Sequence, residues 1–453
     1  MISLKGSLVT LFLVSALTAA CGGGDAPKTP ENGKTKPAGP QTASGDVIDK
    51  GAQNKYQAAL DAFSAHDAAN DWNDGSCSDV AKQFEAAAGE QKSGKFPEAT
   101  YNAGLSYQRC GNDKEARERF QRALTQDPKF HHARSQIALY TYKDNGNEDA
   151  AISALQQAVL DAQFQNVPAL VNLAMLQMVR DSSQGGQGCK DDMECAKLNL
   201  QRALAIDDAY MPAFNQLSLY YFTQAKKRAG AVRSKKGRSI ATNAAIGKRA
   251  DVQQLELADL VSSQGVRKNA KYAAIHNTSG LIKNELGQVN NAVREFALAA
   301  ELDPKLFEAQ MNFALVNLSF RGFDKARDAF KRAIEMRPND YDAHLGLALA
   351  LRGLIDDSNY DAQVAAVQGE LDAAKKIDQA RPDAFYNEGI LTQEYKAKSG
   401  GDKAKTIATL NQAKTVFETF ISKAQGKPEY DGAVKRSKER LQDIDDTVKF
   451  LQL

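Results

Sequence analysis

Small and apolar residues recur along this chain at the three- and four-residue intervals that place side chains on one face of an α-helix. The most regular stretches begin with a small residue and continue with Ala, Phe, Ala and Pro at fixed distances. The three copies without gaps are Gly104, Ala116, Phe120, Ala123 and Pro128; Gly280, Ala292, Phe296, Ala299 and Pro304; and Ala314, Ala326, Phe330, Ala333 and Pro338. Each copy predicts a helix pair, because the small residue lets the first helix approach the Ala–Phe–Ala face and the proline ends the second helix.

The two later copies follow each other at 34 residues, the distance from Pro304 to Pro338. This period and these positions resemble the tetratricopeptide repeat, a helix–turn–helix unit. The resemblance implies an all-α fold, a right-handed superhelix or α-solenoid, with about eight repeats between residues 53 and 425. Departures from the spacing predict loop insertions near residues 182–195, 225–250 and 352–370.

The last segment, residues 426–453, has a different pattern. Apolar residues repeat there every seven positions, in two series: Val434, Leu441 and Val448, and Ile444 and Leu451. Charged residues fill the remaining positions, so the segment predicts an amphipathic helix that caps the open end of the solenoid. The alternative is a coiled-coil partner helix, which needs more heptads than the chain supplies.

The N-terminus has the pattern of a secretory signal. Residues 1–20 carry Lys5 and then a short uncharged apolar run. The small residues before Cys21 resemble a bacterial lipoprotein cleavage site, which implies lipid attachment at Cys21. Gly22 in place of Asp implies transfer to the outer membrane, facing the periplasm. The alternative is cleavage by the ordinary signal peptidase, which would leave a soluble periplasmic protein.

Residues 21–52 follow the signal. They are rich in Gly and Pro and hold almost no large apolar side chain, which predicts a flexible tether.

The chain has five cysteines, of which four remain after lipidation of Cys21. Cys77 is expected just before the second helix of the first unit, and Cys110 at the end of the next unit's first helix. Stacking of the units places both on one edge, where they are able to form a disulfide. Cys189 and Cys195 are expected to close a small ring in an expanded loop. The alternative is a metal site, for which the spacing of these two cysteines is poor.

Enzyme motifs are absent from the sequence: there is no phosphate-binding glycine loop, HExxH, CxxC or GxSxG. We therefore expect neither an enzyme nor a bound cofactor or metal. His131 and His132 are interpreted as surface residues, because neighbouring helical side chains diverge too far to share a metal. His66, His276 and His344 are interpreted as packing or solvent-facing residues. The net charge of +2 gives no reason to expect nucleic acid as a partner.

Basic residues are concentrated between Asp208 and Asp251, where the sequence has no acidic residue. They are Lys226, Lys227, Arg228, Arg233, Lys235, Lys236, Arg238, Lys248 and Arg249. The segment is interpreted either as a solvated loop or as a docking element for an acidic partner, such as an envelope protein, peptidoglycan or lipid phosphates.

Asparagines occupy one recurring place on the predicted first helices. They are Asn102, Asn172, Asn312 and Asn387, with Asn215 nearby in its unit. First helices line the concave surface of a repeat stack, and an amide offers both a donor and an acceptor to a partner backbone. We therefore expect these side chains to contact a bound partner, although the same residue also occurs in repeats without that role.

The whole chain resembles the tetratricopeptide-repeat lipoproteins of bacterial envelopes, most closely those of the adventurous gliding machinery of myxobacteria. The resemblance implies a periplasmic scaffold that binds other proteins of a motility or secretion complex. Two alternatives stay open: a pilotin or secretin-assembly lipoprotein, and a peptidoglycan-binding regulator of wall enzymes.

Overall fold

The structure is a computed structural model that describes residues 39–69, 71–186, 188–234, 241–398 and 402–453, without the side chains of residues 228–251. These residues form nineteen α-helices and no strand. None of these helices combines the length and apolar character needed to cross a bilayer. The chain divides into two compact units, one ending at Gln254 and one running from Leu255 to Leu453.

The N-terminal unit consists of antiparallel helix pairs, each joined by a short turn. Its helices are α1 (Lys50–Ala69), α2 (Asp74–Glu90), α3 (Pro97–Arg109), α4 (Asp113–Gln126), α5 (His131–Asn145), α6 (Glu148–Asp161), α7 (Val167–Arg180), α8 (Asp192–Ile206) and α9 (Met211–Ser234). The pairs α1–α2, α3–α4, α5–α6 and α7–α8 pack together, and each second helix also packs on the next first helix.

The C-terminal unit repeats this arrangement and begins within α10. Its helices are α10 (Ala241–Lys268), α11 (Ala273–Glu285), α12 (Val289–Leu302), α13 (Phe307–Ser319), α14 (Phe323–Met336), α15 (Tyr341–Gly353), α16 (Tyr360–Ile377), α17 (Asp383–Leu391), α18 (Lys403–Ala424) and α19 (Asp431–Gln452). A π-helical segment, Thr392–Lys396, extends α17. The pairs α11–α12, α13–α14, α15–α16 and α17–α18 pack as in the first unit.

Helix starts follow local sequence chemistry. The side chains of Asn112, Asn147 and Asn166 each accept a hydrogen bond from the backbone N–H three residues later, which satisfies a donor that the first helical turn leaves free. Gly146 ends α5 in a left-handed conformation, with φ of 65°. These caps fix the short turns and hence the antiparallel pairing of neighbouring helices.

Close contact between a glycine and a phenylalanine joins the helices of a pair, as the sequence predicts. A Cβ added at Gly104 would lie 2.7 Å from Phe120 Cε1, and one at Gly280 would lie 2.6 Å from Phe296 Cδ1. Both phenylalanines are buried. The small residue on the first helix therefore makes room for the aromatic ring of the second, and this contact sets the helix separation.

The insertions differ from the predicted loops because helix extension takes up much of the extra sequence. A loop does precede α8, but α8 begins at Asp192, so Cys195 lies in its first turn. Near 352–370 the added residues lengthen α16, which begins at Tyr360. Near 225–250, helices α9 and α10 run through most of the segment. Inserted residues with high helix propensity extend a helix that already packs against its neighbour.

The predicted tether is also partly wrong, because its last part is ordered. Ile48 donates its backbone N–H to Pro40 and Thr42 donates its own to Asp46, which closes a small hairpin. Ile48 is buried in the core of α1–α5, and α1 begins at Lys50. A short segment needs little apolar surface when it packs on a preformed core. The remaining tether residues up to 38, with residues 1–20 and Cys21, lie outside the described residues.

Helix α19 lies where the predicted C-terminal cap was expected. Ile444 is buried, and Leu441 and Val448 pack against the same cluster as Phe417 of α18. Its opposite face is charged and exposed. The amphipathic pattern therefore covers the apolar side of the last helix pair.

Candidate interaction surface

The first helices of successive pairs lie side by side. In the C-terminal unit α11 packs on α13, α13 on α15 and α15 on α17. Leu281, Leu315 and Leu349, each one residue after the small residue of its repeat, are half-buried. Three residues further on, and thus on the same side of each helix, lie Asn284, Leu318 and Arg352. We call these six residues the first-helix face.

Arg352 is the cationic member of the first-helix face. Its guanidinium donates to Asn387 Oδ1 at 3.1 Å, and it forms no salt bridge to a carboxylate among the described residues. Burial lowers the pKa of Arg352 and outweighs the nearby Tyr395 and Glu394, which raise it. Arg440 pairs with Glu394 at 2.6 Å. A half-buried guanidinium without a salt bridge of its own among the described residues favours a negatively charged partner group.

The tetratricopeptide repeat family model matches residues 97–130, the α3–α4 pair and the turn that follows it. This segment is a tetratricopeptide repeat. The α11–α12 and α17–α18 pairs share its glycine–phenylalanine packing, and the other pairs share its order of helix on helix, so each unit is an all-α stack of helix pairs with the tetratricopeptide-repeat fold. The family match itself covers only this pair.

Solved tetratricopeptide-repeat structures resemble the chain. A thermophilic repeat protein of Thermus thermophilus is 23% identical, with a TM-score of 0.38, and covers 49% of this chain and 99% of its own. A repeat protein of Parabacteroides merdae is 14% identical, with a TM-score of 0.36. The match covers 68% of this chain and 99% of that protein. Pseudomonas aeruginosa pilF is 17% identical, with a TM-score of 0.36. The match covers 56% of this chain and 92% of that protein. No curated protein matches the sequence significantly.

The asparagines expected to contact a partner mostly link neighbouring repeats. Asn102 is fully buried and donates from Nδ2 to Tyr56 Oη on α1 at 2.7 Å. Asn312 donates to Asn277 Oδ1 on α11 at 2.8 Å. Asn387 accepts from Arg352 on α15. These bonds hold adjacent first helices in register, and a fully buried Asn102 has no surface to offer a partner.

Two further asparagines of the set are buried, and three of the five therefore lack an exposed amide. Asn215 is 3% exposed and Asn172 is 1% exposed. Neither amide atom of Asn172 has a hydrogen-bond partner among the described residues. Partner contact stays a prediction for the half-buried Asn312 and Asn387.

The basic insertion is described only at its start. Lys226 lies over the Phe222 ring at 5.1 Å, and Lys227 Nζ pairs with Asp181 Oδ1 at 2.5 Å. Lys226 and Lys227 are exposed in the second half of α9, so a partner can reach them. The other seven basic residues lie outside the described side chains: Arg228, Arg233, Lys235, Lys236, Arg238, Lys248 and Arg249. Docking at this segment stays a prediction.

Two disulfides join the four described cysteines. Cys77 in the first turn of α2 bonds to Cys110 at the end of α3, with their Cα atoms 6.3 Å apart. Cys189 bonds to Cys195, with Cα atoms 5.2 Å apart. The first ties one repeat to the next, and the second closes the loop before α8. Within the described residues no group of His, Cys, Asp and Glu is arranged to hold a metal ion.

His131 and His132 are not the surface residues that the sequence suggested. Their ring centres lie 4.2 Å apart with the planes tilted by 44°, and the His132 ring packs on Tyr101 and Phe130. Burial lowers the pKa of His132 to about 3 and also lowers the pKa of His131. Both imidazoles are therefore neutral packing groups. Aromatic residues of two successive repeats meet here, which sequence spacing alone did not reveal.

The hairpin before α1 touches the first helix of the matched repeat. The backbone N–H of Ala43 donates to Glu98 Oε1 at 2.5 Å, and Gln91 donates from Nε2 to the Val47 carbonyl at 2.9 Å. Glu98 is buried, and burial raises its pKa. The chain's own N-terminal segment thus covers part of the first-helix surface of the N-terminal unit.

Proposed function

We propose that this protein is a non-enzymatic scaffold that binds other proteins through the first-helix face of its C-terminal unit. The observation that carries the proposal is a row of half-buried apolar side chains on α11, α13 and α15, the helix that also carries Arg352. They are Leu281, Leu315, Leu318 and Leu349. Accessible apolar side chains together with an arginine are typical of protein-binding surfaces. A partner segment with apolar and acidic side chains fits this face.

The N-terminal sequence supports a place for this scaffold at the membrane. A signal in residues 1–20, lipid at Cys21 and the following tether would anchor it to the outer membrane with the repeats in the periplasm. Its partners would be other proteins of an envelope-spanning machine. The resemblance to myxobacterial repeat lipoproteins makes gliding motility the machine that we propose.

A pull-down from crosslinked cells tests the binding face. We expect Leu315→Lys to lose the partners that the wild-type chain captures, because a lysine cannot be desolvated there without a charged partner. Leu298→Lys is the matched control, since Leu298 is 37% exposed on the second helix α12, away from the face. Equal capture by both variants would show that this face does not bind.

Membrane attachment is tested separately. Cys21→Ser should move the protein from the outer-membrane fraction to the soluble periplasmic fraction, and labelled fatty acid should no longer be incorporated. Unchanged fractionation would contradict a lipid anchor and favour another form of retention.

The alternatives predict different phenotypes. A pilotin or secretin-assembly role predicts that deletion abolishes assembly of an outer-membrane ring while gliding persists. A peptidoglycan-binding role predicts that the purified protein sediments with peptidoglycan, and that charge reversal of Lys235, Lys236 and Arg238 to Glu abolishes this. Loss of gliding with neither effect would support the motility scaffold.

A further inference from the structure

His276 makes two hydrogen bonds that both need a proton on the imidazole. Its Nδ1 lies 2.7 Å from Glu295 Oε2 on α12, and its Nε2 lies 2.9 Å from the carbonyl oxygen of Ala270 in the α10–α11 turn. Both partners are acceptors, so each ring nitrogen must donate. Only the imidazolium carries two N–H groups, and the geometry therefore holds the charged form of a side chain that is 3% exposed.

The charges around His276 balance only when it is protonated. Lys283 Nζ, on α11, lies 3.4 Å from Glu295 Oε1 and 3.3 Å from Asp259 Oδ1 on α10. The order of charges is thus Asp259, Lys283, Glu295 and His276, alternating in sign across three helices. Loss of the His276 proton leaves one negative charge in excess in a largely buried cluster, which is unfavourable.

Other repeats of the same unit fill the equivalent position with a donor to the turn before the first helix. Gln310 donates from Nε2 to the Ala300 carbonyl oxygen at 3.1 Å and to that of Pro304 at 3.4 Å. His344 places Nε2 2.9 Å from the Pro338 carbonyl oxygen and Nδ1 2.6 Å from Glu370 Oε2. A side chain that donates a hydrogen bond to the preceding turn is therefore a repeated feature, which we call the turn clamp. A glutamine keeps its amide donors at every pH, so the clamp at Gln310 does not depend on pH.

We propose that His276 is a proton-dependent clamp that fastens the α10–α11 turn to α12 and releases it when the pH rises. The groups that determine its titration are Glu295 on α12 and Lys283 on α11, with Asp259 on α10 held by Lys283. The bond from His276 and the charge of Lys283 outweigh burial and lower the pKa of Glu295, so this carboxylate stays charged and the imidazole is the group that changes. The local stability of the start of the C-terminal unit would therefore decrease as the pH of the surrounding solution rises.

The direction of the effect follows from the shift of the pKa. Burial by itself lowers the pKa of His276, but the bond to Glu295 and the Ala270 carbonyl outweigh burial and raise it above its ordinary value of 6.5. The stabilisation is therefore complete below about pH 6.5 and is lost as the pH rises through the folded-state pKa.

An NMR titration of the imidazoles in the full-length chain tests the clamp. The chain has five histidines, and His276→Gln assigns the resonance of interest. We expect His276 to titrate above pH 6.5 and the His276→Gln chain to show a flatter fall of thermal midpoint between pH 6 and 9. His66→Gln, at a histidine on α1 of the N-terminal unit, is the control and should leave the His276 resonance and its titration unchanged. A titration at or below pH 6.5, or an unaltered slope in His276→Gln, would overturn the proposal.

Hydrogen exchange in the wild-type chain provides a test that needs no variant. After correction for intrinsic exchange rates, protection of residues 270–295 should fall several-fold between pH 6 and 8.5. The α13–α14 pair, clamped by Gln310, is the internal control and should hold its protection. Equal behaviour of the two segments would count against a clamp at His276.

Discussion

Individual glycines show how much of the packing depends on a single missing methyl group. Gly280 lies on α11 against the Phe296 ring, whereas Gly369 lies within α16 with no atom near its added Cβ. Gly280→Ala should lower the free energy of unfolding by about 1–3 kcal/mol through overpacking. Gly369→Ala should raise it by about 0.5–1 kcal/mol, because alanine favours the helix. Urea denaturation measures both, and a loss in Gly369→Ala as large as in Gly280→Ala would contradict this account.

Asn172 presents the opposite situation, a buried amide without a partner among the described residues. Replacing such a group by an apolar residue of similar volume removes a desolvation cost. Asn172→Leu should therefore stabilise the N-terminal unit by about 1 kcal/mol, measured by thermal denaturation. Asn102→Leu is the contrasting variant, since it breaks the bond to Tyr56 and should destabilise the same unit. Destabilisation by Asn172→Leu would imply a hydrogen bond that the structure does not show.

At the scale of elements, the two disulfides constrain chain segments of very different length. The chain-entropy relation gives about 3.8 kcal/mol for the Cys77–Cys110 ring and about 2.4 kcal/mol for the Cys189–Cys195 ring. Cys77→Ser with Cys110→Ser should therefore lower stability more than Cys189→Ser with Cys195→Ser. Non-reducing peptide mapping checks the pairing, and thermal midpoints check the order. A reversed order would mean that native-state strain outweighs chain entropy.

Helix α19 stabilises the last repeat through one face only. Ile444 is buried against α18, whereas Phe450 is 74% exposed on the same helix. Ile444→Ala should destabilise the C-terminal unit by about 2–4 kcal/mol, and Phe450→Ala should change it by less than about 0.5 kcal/mol. Hydrogen exchange of α17 and α18 locates the effect. Similar losses in both variants would show that the cap does not pack as described.

For the whole molecule, the division near residue 254 predicts unfolding in more than one step. Repeat proteins gain stability from each pair and its neighbours, so a local change stays local unless the chain is fully cooperative. Gly280→Ala should shift the transition of the C-terminal unit and leave hydrogen-exchange protection of α3 and α4 unchanged. A single transition shifted as a whole would show that the chain unfolds cooperatively.

Much of this architecture follows from local pattern, and the exceptions have physical causes. The Gly104–Phe120 spacing predicts its helix pair, because the contact lies within one repeat. The predicted insertion loops were partly helical, since helix formers extend α9 and α16 once a partner face exists. The role of Asn102 was not predictable, because its partner Tyr56 belongs to a different repeat. The position of His276 could have been recognised from the sequence. His344 lies 68 residues later, which is two repeat periods, so the two histidines occupy equivalent positions in their repeats.

The sequence by itself determined the helix pairs, their period and the amphipathic cap, because each depends on contacts between residues a few turns apart. Tertiary structure alone decided which polar side chains are buried between repeats and which remain on the first-helix face. It also decided that His276 meets a carboxylate and a carbonyl together. The reason is physical: burial and pKa depend on atoms brought close by stacking, and stacking joins residues whose separation in sequence carries no local signal.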